Sequence, residues 1–221
     1  MQTQNFKYFD TITAFFVAIL LISAISDTKA ITIGLLSFGG GTFLFPLAYI
    51  LGDILTEVYG FKRARKVIWT GFACLALMTA TFMLVGMAPP APDWPFQEDF
   101  MNILGLTPRI ALGSLVAFLI GEFVNSVILA KMKIATKGKY LWSRTIGSTL
   151  VGQLIDTTIF MFVAFYGVFP NELIISITIS GYLLKVITEI LFTPITYWIT
   201  NFLKKKENED YFDTKTKFTP I

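Results

Sequence analysis

The 221-residue chain has no histidine and one cysteine, Cys74. These absences exclude disulfides within the chain, zinc fingers and catalysis built on imidazole, including Ser-His and Cys-His couples and the H-E-x-x-H metal sites. No G-x-x-x-x-G-K-[ST] phosphate loop is present either, which removes that nucleotide-hydrolysing motif. Charge is scarce: Asp, Glu, Lys and Arg make up 15 % of the residues, against 54 % hydrophobic residues and a mean hydropathy of +0.66. Water is not the main solvent for such a surface. The net charge of +3 does not point to nucleic acid, because the basic residues cluster in short segments between apolar runs.

Those runs have the length a membrane demands. A bilayer core of roughly 30 Å needs about 20 helical residues at ~1.5 Å each. Six candidates occur, at 8–26, 42–60, 67–88, 109–130, 146–168 and 173–203, and predict an all-α, polytopic protein with six transmembrane helices. The first follows Lys7 and lacks an A-x-A-like cleavage site, so it reads as a retained span. The last is overlong and is expected to tilt, to kink at Pro194 or to protrude. Segment 31–41 is apolar but short and ends in Gly39, Gly40 and Gly41, which suggests a re-entrant or interfacial piece. Pro89, Pro90 and Pro92 stop the third helix, and the mixture of Asp93, Glu98 and Asp99 with Trp94, Phe96 and Phe100 reads as an interfacial outer loop.

Positive charge sets the expected orientation. Of the 18 Lys and Arg residues, 15 fall before the first helix or after the second, fourth and sixth, whereas Lys29 and Arg109 are assigned to the opposite face and Lys185 to the sixth helix. Short cytoplasmic loops are enriched in such residues. Both termini are therefore expected in the cytoplasm of a multi-pass inner-membrane protein. Residues 1–206 form the transmembrane domain and 207–221 a polar cytoplasmic tail. A short echo pairs Gly52, Asp53, Val58 and Lys62 with Gly121, Glu122, Val127 and Lys131, with no longer repeat visible.

Ionisable residues inside the apolar runs carry the functional signal, because a charge at the bilayer centre costs on the order of 2.5 to 3.5 kcal/mol. Tyr49, Asp53 and Glu57 follow an i, i+4, i+8 pattern on helix 2. Glu122 with Asn125, Gln153 with Asp156 and Thr157, and Lys185 with Glu189 form stripes on helices 4, 5 and 6. Stripes of this kind turn inward and are expected to meet around a central polar cavity. Internal pairing as packing glue competes with that reading, but five carboxylates facing one ammonium leave four acids over. Surplus acids call for protonation, solvation, or a guest with positive charge or several N–H donors. Phe45, Tyr49 and Tyr182 lie near the stripes and could stack on a flat ring, although ordinary packing accounts for them as well. No catalytic residue, metal ligand or cofactor site emerges.

Two blocks resemble a known family. F-P-L-A-Y-I-L-G-D-I-L-T-E-V-Y-G-F-K-R-A-R-K (45–66) and R-T-I-G-S-T-L-V-G-Q-L-I-D-T-T-I-F (144–160) are similar to the second and fifth helices of the queuosine precursor transporters, also called the vitamin uptake transporter family. Segment 121–131 resembles that family's fourth helix, and the sixth helix with Lys185 also fits. The resemblance implies a six-helix importer of the 7-deazaguanine bases preQ0 and preQ1, precursors of queuosine in tRNA. It also implies an architecture similar to the substrate-binding components of energy-coupling-factor transporters. One departure is Asp27, where many relatives carry asparagine.

A guanine-like edge offers adjacent N–H donors to carboxylates, and its acceptors need donors such as Lys185, Gln153 or Asn125. Asp156, Glu122 and Asp53 are the expected acceptors. Three alternatives remain at this level: a self-sufficient carrier, a binding subunit served by a separate ATP-driven module, and an intramembrane aspartyl protease using Asp53 and Asp156. The partners are a purine-like base and the lipid bilayer, and a homo-oligomer is left open.

Overall fold

The computed structural model describes residues 6–33, 36–105, 108–168 and 170–220. Among these residues seven α-helices follow one another: α1 (Phe9–Ser26), α2 (Phe45–Tyr59), α3 (Phe61–Met87), α4 (Gln97–Leu104), α5 (Pro108–Ala135), α6 (Leu141–Phe165) and α7 (Asn171–Glu207). Between α1 and α2 lie β1 (Ala30–Ile33) and β2 (Leu36–Gly39), paired antiparallel from Ala30 opposite Gly39 to Ile33 opposite Leu36. A 3-10 turn, Gly40–Phe43, follows. The long elements are all helical, as expected, and within the short apolar piece, expected to be re-entrant or interfacial, the described residues pair as two short antiparallel strands. A four-residue strand satisfies its backbone groups against its neighbour, which a run too short to span as a helix otherwise leaves open. Asp27 holds this segment to α1, its Oδ1 accepting from Gly41 N at 2.9 Å.

Among the described residues, five segments are long and apolar enough to cross a membrane: α1, α3, the stretch Gln97–Ala135 that contains α4 and α5, α6, and α7. Their outward faces are apolar, with Leu84, Leu191 and Trp198 each about 70 % exposed. The sixth expected span, α2, has only 15 residues, about 22 Å at ~1.5 Å per residue. It nevertheless runs from the hairpin end of the bundle to the end shared by both termini. There, the Glu207 carboxylate accepts from Lys7 N, Tyr8 N and Tyr59 Oη at 2.9, 2.7 and 3.0 Å. Every residue of its second half, Asp53 to Tyr59, is buried. A helix enclosed by other helices need not match the thickness of lipid or be uniformly apolar, and α2 is neither.

The expected loop after helix 2 shrinks to Gly60, whose φ of 84° turns the chain directly into α3, so Lys62, Arg63, Arg65 and Lys66 lie in its first turns. Helices α5 and α6 likewise reach further toward this end than the apolar runs suggest, taking in Lys131, Lys133 and Arg144. Their mutual approach depends on small residues: a Cβ at Gly121 would sit 2.7 Å from Asp156 Cβ, and one at Gly152 would sit 2.8 Å from Asn125 Cβ. Close backbone contact of this sort is how helices associate where no water drives them together. The expected outer loop contains the short helix α4, whose first residue, Gln97, donates through its side chain to Gly86 O at the end of α3. Helix α7 continues through Pro194 for 37 residues, about 55 Å, so it extends past a ~30 Å apolar core.

Candidate functional site

The four polar stripes meet at one level of the bundle. Asn125 Nδ2 on α5 donates to Asp53 Oδ1 on α2 at 2.9 Å. Lys185 Nζ on α7 donates to Asp156 Oδ2 and Thr157 Oγ1 on α6 at 2.8 and 3.1 Å. The Glu122 carboxylate lies against α2 at Gly52, where a Cβ would stand 3.4 Å from Oε2. Tyr49 lies within electrostatic reach of Asp53, Glu122, Asp156 and Glu189 together, and Asp53 within reach of Glu122 and Glu189. Asp53 is fully buried, Asn125 and Gln153 are 2 % exposed, and Glu189 is 3 % exposed.

Five atoms of this cluster are buried with no hydrogen-bond partner: Asp53 Oδ2, Glu122 Oε2, Asn125 Oδ1, Gln153 Oε1 and Glu189 Oε1. All five are acceptor oxygens. No ion pair among the described residues reaches Asp53, Glu122 or Glu189. A buried acceptor without a donor costs about 1–3 kcal/mol, more when charged, so five together are a feature that packing of the chain alone does not account for.

The helices close over this cluster. A cavity of about 560 Å³ lies elsewhere, on the outer side of α1 and α3, lined by residues such as Phe9, Thr13, Val17 and Thr70. Of the aromatics near the stripes, Tyr182 Oη donates to Leu150 O at 3.1 Å. The side chain of Phe45 lies outside the described residues.

Glu57 belongs to a different cluster. Its carboxylate accepts from Arg144 Nη2 at 2.8 Å and Nε at 3.3 Å, and from Lys204 Nζ at 2.6 Å, with Lys133 Nζ 3.5 Å away. The reckoning of five acids against one ammonium is therefore corrected. Lys133 and Arg144, counted by sequence as loop charges, lie in helices and are almost fully buried against Glu57. Lys185, in turn, pairs with Asp156, leaving three acids without a cation instead of four.

Sequence reasoning also missed Asp210, Tyr211 and Asp213 in the tail. Lys133 Nζ donates to Asp210 Oδ1 at 2.5 Å and to Tyr211 O at 2.8 Å. Burial pushes the Asp210 carboxyl up, but the Lys133 and Lys204 hydrogen bonds outweigh it and hold it below the usual carboxylate range. Aromatic residues in an otherwise polar tail, Tyr211, Phe212 and Phe218, were the available signal that it docks.

Residues 39–199 match the family model described as "Putative vitamin uptake transporter". The chain belongs to this family. Among curated relatives, a "Probable queuosine precursor transporter" of Bacillus subtilis (strain 168) is 36 % identical over 160 residues, 71 % of this chain and 69 % of that protein. The "Queuosine precursor transporter" of Escherichia coli (strain K12) is 24 % identical over 211 residues, 93 % of this chain and 92 % of that one. A "Probable queuosine precursor transporter" of Haemophilus influenzae is 24 % identical over 172 residues, covering 75 % and 70 % of the two chains. No solved structure matches. Membership in a transporter family, together with the apolar helices, makes the chain a multi-pass membrane transporter and not an enzyme.

Proposed function

We propose that this chain imports queuosine precursors, the 7-deazaguanine bases preQ0 and preQ1, across the inner membrane, and that the base binds among Tyr49, Asp53, Glu122, Asn125, Gln153, Asp156, Thr157, Lys185 and Glu189. The observation that carries this reading is the uniform chemistry of the five orphaned atoms, acceptors all. A 7-deazaguanine edge presents adjacent N–H donors, and the aminomethyl group of preQ1 adds a cation. On this reading Lys185, which donates to Asp156 and Thr157, turns to the base carbonyl when the base binds. With the helices closed over the cluster, the base enters by a rearrangement that opens a central cavity, as a carrier's cycle requires.

Both termini belong in the cytoplasm on this reading, since the basic residues gather at the end they share. The bundle is taken to resemble the substrate-binding components of energy-coupling-factor transporters. Uptake by liposomes containing the chain alone makes it self-sufficient, whereas uptake that requires an added ATP-driven module makes it such a component.

The direct test is rescue of cells that cannot synthesise the precursors, fed each base in turn, with queuosine measured in tRNA. Glu122→Gln and Asp156→Asn lower rescue on the order of tenfold at unchanged membrane levels, the scale of one charge-assisted hydrogen bond at ~1.5–3 kcal/mol. Equal rescue by both variants removes the site assignment; no rescue by the unaltered chain removes the substrate.

A further inference from the structure

The end of the bundle that gathers the basic residues is closed by a strap. Beyond α7, Asn208 turns the chain at φ 51°, and residues 209–220 run back across α2, α3 and α5. Asp213, 3 % exposed, accepts from Phe61 N at 2.9 Å through Oδ2 and so satisfies a free N–H in the first turn of α3. Tyr211 N donates to Val58 O at 3.3 Å. The Tyr211 ring occupies the space beside Gly60, where a Cβ would come within 2.2 Å of it. Further along, Phe218 packs on Phe61 with ring centroids 5.3 Å apart, Arg65 Nη1 donates to Thr219 O at 2.8 Å, and Trp69 Nε1 donates to Pro220 O at 2.8 Å.

Three features mark this closure as one built to part. Glu57 takes its cations from three other helices, Lys133 on α5, Arg144 on α6 and Lys204 on α7, so separating α2 from any of them breaks an ion pair. Lys133 and Lys204 are each shared between Glu57 and Asp210 of the strap, at 2.5 and 2.8 Å from the latter. A lysine leaving Glu57 therefore keeps a carboxylate partner, which lowers the cost of uncovering a buried charge. Finally, the cage lies one helical turn from the central cluster on α2, Glu57 being four residues beyond Asp53.

We propose that the strap of residues 209–220 and the Glu57 cage together form the transporter's gate at its basic end, opening as a unit to connect the central cluster with solution. The proposal rests on the transport reading above, but its first test needs no substrate. In a Cys74→Ser background, Thr149→Cys places a thiol on α6 between Gln153 and Arg144, at a position 1 % exposed. In nanodiscs, a charged maleimide labels this thiol at least tenfold faster when Asp213→Ala is added or the chain is cut after Asn208. Equal labelling of folded proteins, judged by size exclusion and thermal melting, overturns the gate.

If both loosened forms fail to fold, a locked form decides. Trp69→Cys with Pro220→Cys in the same background, bridged by a short bis-methanethiosulfonate that spans the room of the lost indole, retains preQ1 binding but loses uptake until dithiothreitol is added. Undiminished uptake by the cross-linked protein overturns the proposal. Failure of the intact chain to bind preQ1 counts against the substrate instead, and the labelling comparison still decides the gate.

Discussion

Two polar clusters lie a helical turn apart inside this bundle, built from the same kinds of residue to opposite ends. Around Glu57, one carboxylate meets three cations, and the surrounding carbonyls accept what remains, Arg144 Nη1 donating to Lys139 O and Lys133 Nζ to Glu57 O. Around Asp53, three acids and two amides share one internal hydrogen bond and leave five acceptors unmatched. Charge buried in the first cluster is matched by the chain itself; in the second the chain leaves acceptors unmatched, which is why the proposed ligand site is set there. Burial alone does not mark a binding site, since both clusters are equally hidden, and satisfaction is what tells them apart.

The largest expected effect breaks the satisfied cluster. Arg144→Met leaves Glu57 without its two-bonded partner, and removing one member of a buried ion pair costs about 3–5 kcal/mol. Folded protein, measured by fluorescence-detected size exclusion in detergent, should fall sharply. Glu189→Gln attacks the unsatisfied cluster and should do the reverse: the melting temperature holds or rises, because a like charge leaves a group of acids, while preQ1 uptake drops on the order of tenfold. If Glu189→Gln proves as unstable as Arg144→Met, the distinction between the clusters collapses.

The Lys185–Asp156 pair sharpens the comparison because it sits between the two types: internally matched, but within the proposed ligand site. Its side chains are 21 % and 20 % exposed, so the pair contributes less than a fully buried one. Lys185→Met alone should lower both melting temperature and uptake. Adding Asp156→Asn should recover the melting temperature, since no lone charge remains, and leave uptake low. Recovery of uptake in the double variant would reduce the pair to packing.

How much of this was legible in sequence divides along the same line. The acidic stripes were readable because acids in apolar runs are costly and their i, i+4 spacing fixes a common face. The cage was not, because Lys133 and Arg144 sit where the apolar runs fade, and counting by the positive-inside rule treats every cation there as a loop residue. Helix α2 looked like an ordinary span, since periodicity registers polarity and not whether a helix is enclosed. The strand pair escaped because the alternation in segment 31–41, Ile31-Thr32-Ile33 and Leu36-Ser37-Phe38, lasts only three residues on each side, too short a pattern to set against an apolar, glycine-rich run. The tail escaped because fifteen residues of mixed charge read as solvated chain, and only contact with α3 gives Asp213 its role.

The smallest effect concerns the hinge between cage and strap. Asp210 is held below its ordinary value of 3.8 because the lysine hydrogen bonds outweigh its burial. A carboxyl depressed in the folded state lends stability that is fully present above the unfolded value and lost as pH falls through the folded one. Strap docking should therefore hold from neutral pH down to about 4 and loosen only below it, read as faster protease cleavage of residues 209–220 by an acid-active enzyme such as pepsin. Asp210→Asn should weaken docking at neutral pH and flatten that acid step, modestly in both respects, because the carboxylate is 46 % exposed and water screens it. An acid step unchanged in Asp210→Asn would assign the loosening to another carboxylate and leave Asp210 a bystander in the cage it adjoins.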